Sequence, residues 1–398
     1  MGKWVKKKLG DLGFSFSGLS GKTIDDFGEG KPFIPYMNIF TNGKINSKQL
    51  EYVRIAENER QNKVEQGDWF FTTSSETPDE VGMTSVLVED IGEAYLNSFC
   101  FGFRLYDKSE FEPEFVSYLF RSLELRKKIS LFAQGSTRYN LPKQQMFNKL
   151  YISYPSSLSE QRRIASILSS ADKVIDSTQK LIAKYKQIKQ GMMEDLLKPK
   201  EGWKKVKLGE CCTRLCNGMT YDIEEKEGYM VTRIETISDG VIDLAKIGHT
   251  SIMPKIEYKL QKGDILFSHI NSLKHIGKIA YCNGDVELYH GMNLLVIRVN
   301  ENIDSKYLYY QLSFDDVRTQ IRTLAKSAVN QASINTTELQ KFEINIPISC
   351  SDNPDLSEQR RIASILSSID AKIESEEKVL EKYKNIKKGL MEKLLKGE

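Results

Sequence analysis

Thirteen residues, LSEQRRIASILSS, occupy positions 158–170 and return unchanged at 356–368. Continued to residues 198 and 396, the match keeps 28 of 41 paired positions identical at a constant offset of 198. Chance does not supply such a run, so the chain is an internal duplication and must fold as two related halves.

The repeat has a helical period. Ile164, Leu168, Ala171, Ile175, Thr178, Ile182, Tyr185, Ile188, Met192 and Leu196 recur at steps of three and four, which lines them along one helix face. The copy carries Ile362, Leu366, Ile369, Ile373, Glu376, Leu380, Tyr383, Ile386, Leu390 and Leu394. Ser159 and Ser357 are candidate caps; Glu160 and Glu358 fall in the first turn and Lys198 and Lys396 near the last, as the helix dipole favours. At ~1.5 Å per residue each copy makes a rod of roughly 60 Å, which the Ser169-Ser170 pair is expected to bend or break. A stripe this narrow, with Lys and Glu on its flanks, needs a second helix to bury it. The expected partner is the other copy, in a coiled coil with Ile164, Leu168, Ile175, Ile182 and Tyr185 paired against Ile362, Leu366, Ile373, Leu380 and Tyr383.

At 398 residues the chain has room for two to three domains, and 40% hydrophobic residues suffice for real cores. No apolar run approaches the ~18 residues of a membrane span. The opening MGKWVKKKLG lacks the apolar stretch of a signal peptide, so a cytoplasmic protein with no membrane partner is expected. Residues 158–198 and 356–398 together hold 18 of the 57 basic and 13 of the 54 acidic residues, leaving 39 and 41 for the rest. Two near-neutral domains do not announce nucleic-acid binding by bulk charge, so any such site must be a local patch or be shared with a basic partner.

Residues 1–157 read as mixed α/β. Short apolar runs at 33–40, 68–72 and 84–88 stand between Gly, Asn and Pro as strands, a helix spans 114–133, and a last strand runs from 150 to 154 before Pro155. Residues 199–355 repeat the programme with other residues. WKKVKLGE at 203–210 answers WVKKKLGD at 4–11, Gly263-Asp264-Ile265 answers Gly67-Asp68-Trp69, a helix spans 305–325, and a strand at 342–346 precedes Pro347.

Enzyme motifs fail. Gly21-Lys22-Thr23 resembles the end of a phosphate-binding loop, but Phe16 stands where that motif needs glycine. Asn353-Pro354-Asp355-Leu356 only begins like the Asn-Pro-Pro-aromatic motif of amino methyltransferases. Six scattered cysteines form no CxxC pair, and His249, His269, His275 and His290 have no metal-ligand spacing, so no catalytic or metal site is expected.

Two polar loops carry side chains suited to base edges and phosphates: Gln134, Ser136, Thr137, Arg138 and Asn140 in the first half, Lys326, Asn330 and Gln331 in the second. Arg126, Lys128 and Arg322 flank them. The hairpin tips, with Ser75 in one half and His269, Asn271 and Lys274 in the other, complete the candidate DNA-binding set.

A strand ending in proline, then LSEQRRIASIL, then a long helix closing on GMMEDLL or GLMEKLL, all present twice, resembles the specificity subunit of type I restriction-modification enzymes over the whole chain. The resemblance implies an α+β protein. Two pseudo-symmetric mixed α/β target recognition domains (1–157 and 199–355) would be separated by two conserved helical spacers (158–198 and 356–398) forming an antiparallel coiled coil. It implies a non-catalytic subunit in which each domain reads half of a split, asymmetric DNA target. Its partners would be double-stranded DNA, two methylation subunits and restriction subunits that translocate and cut. S-adenosylmethionine, ATP and Mg would then sit on those partners, with no cofactor in this chain. The alternative is a coiled-coil scaffold that presents two protein-binding domains.

Overall fold

The computed structural model describes residues 3–222, 224–238, 240–328, 331–349 and 353–396. They form two compact units, of which the first is interrupted in sequence by the second. Unit 1 runs to Gln179 and resumes at Lys378; unit 2 is Lys180–Glu377. Each long helix, Leu158–Leu197 and Leu356–Leu394, therefore has one part in each unit.

Unit 1 holds a four-stranded antiparallel sheet in the order Gly13–Ser17, Cys100–Leu105, Trp69–Thr72, Thr84–Val86. The opening strand Trp4–Lys8 pairs with the closing strand Tyr151–Pro155, Trp4 opposite Pro155, so the domain's two ends are tied before the helix begins. Unit 2 repeats this with Cys212–Asn217, Leu295–Val299, Ile265–Phe267 and Ile279–Tyr281 in the same order, and pairs Trp203 with Pro347. The shared Gly-Asp motif has a structural reason. Gly67 and Gly263 adopt left-handed φ values of 88° and 97° that suit glycine, and turn the next residue inward. There Arg104 donates from Nε to Asp68 at 2.9 Å, and Arg298 to Asp264 at 2.8 Å, each with a second bond of 2.7 Å from the same guanidinium. Both carboxylates are almost fully buried, so such bidentate pairing offsets their desolvation.

The long helices complete both cores. In unit 1, Ile164, Ala165 and Leu168 from the first helix and Leu395 from beyond the end of the second pack with Trp69, Phe101, Phe103 and Phe120. In unit 2, Ile362, Ala363 and Leu366 join Met193 and Leu197 against Phe267, Tyr307 and Tyr310. The helices run antiparallel within unit 2, where Lys186 meets Glu377 at 2.8 Å and Lys189 meets Asp370 at 2.6 Å. Fully buried glutamines knit each helix start to its domain. Gln161 accepts from the Glu112 amide and donates to Pro155 and Glu110 carbonyls; Gln359 accepts from the Asp304 amide and donates to the Asn302 carbonyl.

Several expectations are corrected. Ser159 and Ser357 lie inside their helices: Ser157 and Asp355 stand just before them, and the Asp355 carboxylate accepts the Glu358 amide. The Ser169-Ser170 pair does not break the first helix, which runs through it with the Ser170 hydroxyl donating to the Ser166 carbonyl. The stripe is also less regular than its spacing. Ile164, Leu168, Ile182, Ile362, Leu366, Ile369 and Ile373 are buried, and Ile175, Tyr185, Leu380 and Tyr383 half-buried, whereas Ile188 and Ile386 are exposed. Towards its C-terminal end each helix turns Met193 and Leu197, or Leu395, into a domain core.

Run 33–40 divides into strand Phe27–Ile34 and helix Tyr36–Thr41, separated by Pro35. The helix expected at 114–133 is two, Pro113–Leu119 and Leu123–Ser130, the second capped by the Ser122 hydroxyl; that at 305–325 breaks at Phe314.

Candidate nucleic-acid interface

In unit 1 the strand Trp69–Thr72 continues past Thr73, whose amide and hydroxyl both donate to the Phe99 carbonyl. It then forms Ser74–Ser75, which pairs with Tyr139–Asn140. Asn140 in turn exchanges both backbone hydrogen bonds with Gln134, at 3.0 and 2.8 Å, and so closes a hairpin. Gly135 makes the turn possible: a Cβ there would stand 2.1 Å from the Arg138 carbonyl oxygen, at a φ of 141°. Gln134, Ser136, Thr137, Arg138 and Asn140 are exposed on this hairpin, and the two sequence stretches that carry Ser75 and Arg138 become neighbours. Arg138 donates to the Ser74 hydroxyl from Nε at 3.2 Å and from its terminal nitrogen at 3.0 Å. Its guanidinium carbon lies 5.9 Å from the Phe99 ring centroid, a cation–π contact. Phe99, 56% exposed, escaped the sequence reading; the only trace was an aromatic residue in the polar run Asn97-Ser98-Phe99.

Unit 2 builds the counterpart as a three-stranded sheet. Ile270–Asn271 pairs with Gln331–Ser333, which pairs with Lys326–Ala328. Asn271, Lys326 and Gln331 thus share one small sheet, with Lys274 on the adjoining exposed loop and Arg322 exposed in the last turn of the preceding helix. Among the described residues Lys274, Arg322 and Lys326 form no ion pair, which leaves three cations for phosphates. Asn330 lies outside the described residues.

Two candidates leave the surface set and a third is paired at the surface. Arg126 turns inward and donates to the carbonyls of Asp79, Val81 and Gly82, and burial lowers its pKa to about 10. It holds the hairpin's neighbour in place, with three of its five N–H donors taken by backbone carbonyls. Lys128 is held by Glu124 one turn earlier on its own helix. His269 is 5% exposed, and burial lowers its pKa, so it offers no charge at neutral pH. Lys22 of the discarded phosphate motif is likewise spent, 2.5 Å from Glu59 and 2.5 Å from the Arg54 carbonyl. Among the described residues no group of His, Cys, Asp or Glu is placed to hold a metal ion, and no helix is long and apolar enough to cross a membrane.

All four histidines fall in unit 2, and His290 makes it acid-sensitive. Its ring is 1% exposed, hydrogen-bonded at 2.9 Å to the Leu294 carbonyl, and burial lowers its pKa to about 4. The unfolded chain binds that proton more readily. The stability that neutral His290 contributes is therefore complete above about pH 6.5 and lost as pH falls towards 4, by about 3 kcal/mol. Urea unfolding followed at Trp203 should show the gap between the parent and His290→Gln shrinking by that amount between pH 7 and pH 4. A gap that ignores pH would refute the assignment.

The scaffold is present twice, and so is the match to a known family. Residues 1–187 and 200–385 each match the type I restriction modification DNA specificity domain. The chain belongs to that family. Each matched stretch covers one domain and most of the helix that follows it. Among similar specificity-domain proteins, a putative type I restriction enzyme MjaX specificity subunit of Methanocaldococcus jannaschii is 43% identical over 200 residues. That match takes in 49% of this chain and 45% of the relative, less than half of its length. The EcoKI specificity subunit of Escherichia coli is 24% identical over 397 residues, 92% of this chain and 82% of that one. The crystal structure of the S subunit from M. genitalium shares the fold with a TM-score of 0.60, at 16% identity, covering 99% of this chain and 96% of that one. A chain from structural work on assembly and conformational transition of the type I R-M system gives 0.62 at 18% identity, covering 99% and 98%.

Proposed function

We propose that this chain is the non-catalytic DNA-specificity subunit of a type I restriction-modification complex, with one half of a bipartite target read by each unit. The observation that carries this reading is the recurrence of one device with different side chains: a hairpin paired to the strand that extends the central sheet, presenting Thr137, Arg138 and Asn140 in unit 1 and Lys326, Asn271 and Gln331 in unit 2. Arg138 has the two-pronged donor that fits the O6 and N7 of guanine, and Asn140, Asn271 and Gln331 carry amides that fit the N6 and N7 of adenine. Methylation subunits with S-adenosylmethionine would dock on the paired helices and modify adenine. Restriction subunits would use ATP and Mg to translocate and cut.

Arg138→Ala should relax one half-site only, and Gln331→Ala the other. Loss of one bidentate base contact amounts to about 1–3 kcal/mol, or roughly 5- to 150-fold in discrimination at one base position. Genome-wide mapping of methylated adenines, in cells that supply the methylation subunits, reads both half-sites at once. If either variant altered both half-sites together, or neither, the division of labour between the units would be wrong.

A further inference from the structure

The two domains differ over most of their length, yet each places a tyrosine against the same pair of helix residues. In unit 1 the Tyr118 hydroxyl donates to Asp172 of the first helix at 2.7 Å, and Lys387 of the second helix bonds the other oxygen of that carboxylate. In unit 2 the Tyr310 hydroxyl donates to Asp370 of the second helix at 2.8 Å, and Lys189 of the first helix lies 2.6 Å from its other oxygen. Asp172 and Asp370, and Lys189 and Lys387, are equivalent under the offset of 198. Each lysine also stands beside its tyrosine ring, at 5.6 Å from the centroid for Lys387 and 5.7 Å for Lys189. The Tyr310 hydroxyl also lies 3.1 Å from the Ser367 hydroxyl, and Ser169 is the equivalent residue in the first helix. One domain residue thus binds both helices at a point where they also bind each other.

Most of each domain's other attachment is apolar or lies nearer the helix start, although in unit 2 Gln190 also donates to Asp315 and Gln311 to the Leu197 carbonyl. Ile164 and Leu168, or Ile362 and Leu366, pack into the core without directional preference, and Gln161 or Gln359 fixes only the entry to the helix. The tyrosine contact lies one turn beyond Leu168 or Leu366. It adds a directional bond away from the entry point, which is what limits rotation of a domain about its packed helix. Both rings are almost fully buried, and the carboxylates and lysines are only a quarter to a third exposed, so these bonds are better shielded than surface pairs.

We propose that Tyr118 with Asp172 and Lys387, and Tyr310 with Asp370 and Lys189, are positioning residues that set the angle of each recognition domain on the helix pair. They thereby decide how strictly the gap between the half-sites is read; this rests on the reading of the chain as a DNA-specificity subunit. A domain free to rock on its helices accepts half-sites displaced by a base pair, while its hairpin still reads the same bases.

The test uses the chain assembled with its methylation subunits and duplexes whose half-sites are separated by the native spacer, one base pair fewer, or one more. Tyr118→Phe, which keeps the ring and its packing, should leave the half-site bases unchanged and raise methylation of the off-length duplexes relative to the native one by about tenfold. Asp172→Asn, which loses the lysine, should do the same. Unchanged spacer discrimination in both variants would overturn the proposal, whatever happens to their melting temperatures, because it would leave the contact a structural one. Loss of all methylation by folded, assembled variants would overturn it too. If the parent complex methylates no bipartite target, the specificity-subunit reading itself falls; if the parent does and the variants match it, only the positioning role falls.

Discussion

Replacing Leu168 with aspartate is expected to abolish cooperative folding of unit 1 while unit 2 stays folded. Leu168 is fully buried in a core to which Ile164, Leu395 and the aromatic cluster around Trp69 and Phe120 contribute. Truncation to alanine should by itself cost about 2–5 kcal/mol through lost burial and the cavity left behind. A carboxylate there adds the penalty of an unpaired buried charge, which carries the total to the order of the whole stability of a domain. The loss reaches across the sequence, since residues 378–396 belong to the same unit. Hydrogen exchange should show protection collapsing in 3–179 and 378–396 and persisting in much of 180–377. Leu366→Asp should invert the pattern, because Leu366 holds the equivalent buried place in unit 2. Uniform loss over the chain in both variants, or loss confined to residues before 180 in the first, would mean that the two units are not built as described.

The duplication, the long helices and the opening and closing strands were legible in the sequence because each rests on periodicity or on a run of identical residues. What was not legible was how one helix face changes partner along its length. A strict three-and-four spacing places Ile188 and Ile386 on the stripe, but towards its C-terminal end each helix serves a domain core, so Met193, Leu197 and Leu395 are buried instead. Asp172, Lys189, Asp370 and Lys387 lie off the apolar stripe, and only the fold brings Tyr118 and Tyr310 onto the two aspartates. The hairpin residues were found as polar loops, and their joining to Ser75 and Asn271 was not, since strand pairing over some sixty residues leaves no local signal. Arg126 failed as a surface candidate for a related reason: a helical arginine on the wetter side reads as exposed until the carbonyls of Asp79, Val81 and Gly82 are folded beneath it.

If each unit reads one half-site, the helices that pass between the units set the spacing of the two readings, and lengthening both helices together tests this. Both helices pass from one unit to the other at equivalent positions, between Gln179 and Lys180 and between Glu377 and Lys378. Four added residues at each place make about one turn, preserve the buried face and extend each helix by about 6 Å. At 3.4 Å per base pair that is one to two base pairs added to a spacer whose half-sites, if read from one side of a duplex, are centred about ten base pairs apart. Methylated-adenine mapping in cells carrying the lengthened chain and its methylation subunits should return the parental half-sites, unchanged in sequence, with the gap between them longer by one to two base pairs. Parental half-sites at the parental gap, or altered half-site bases, would contradict the claim.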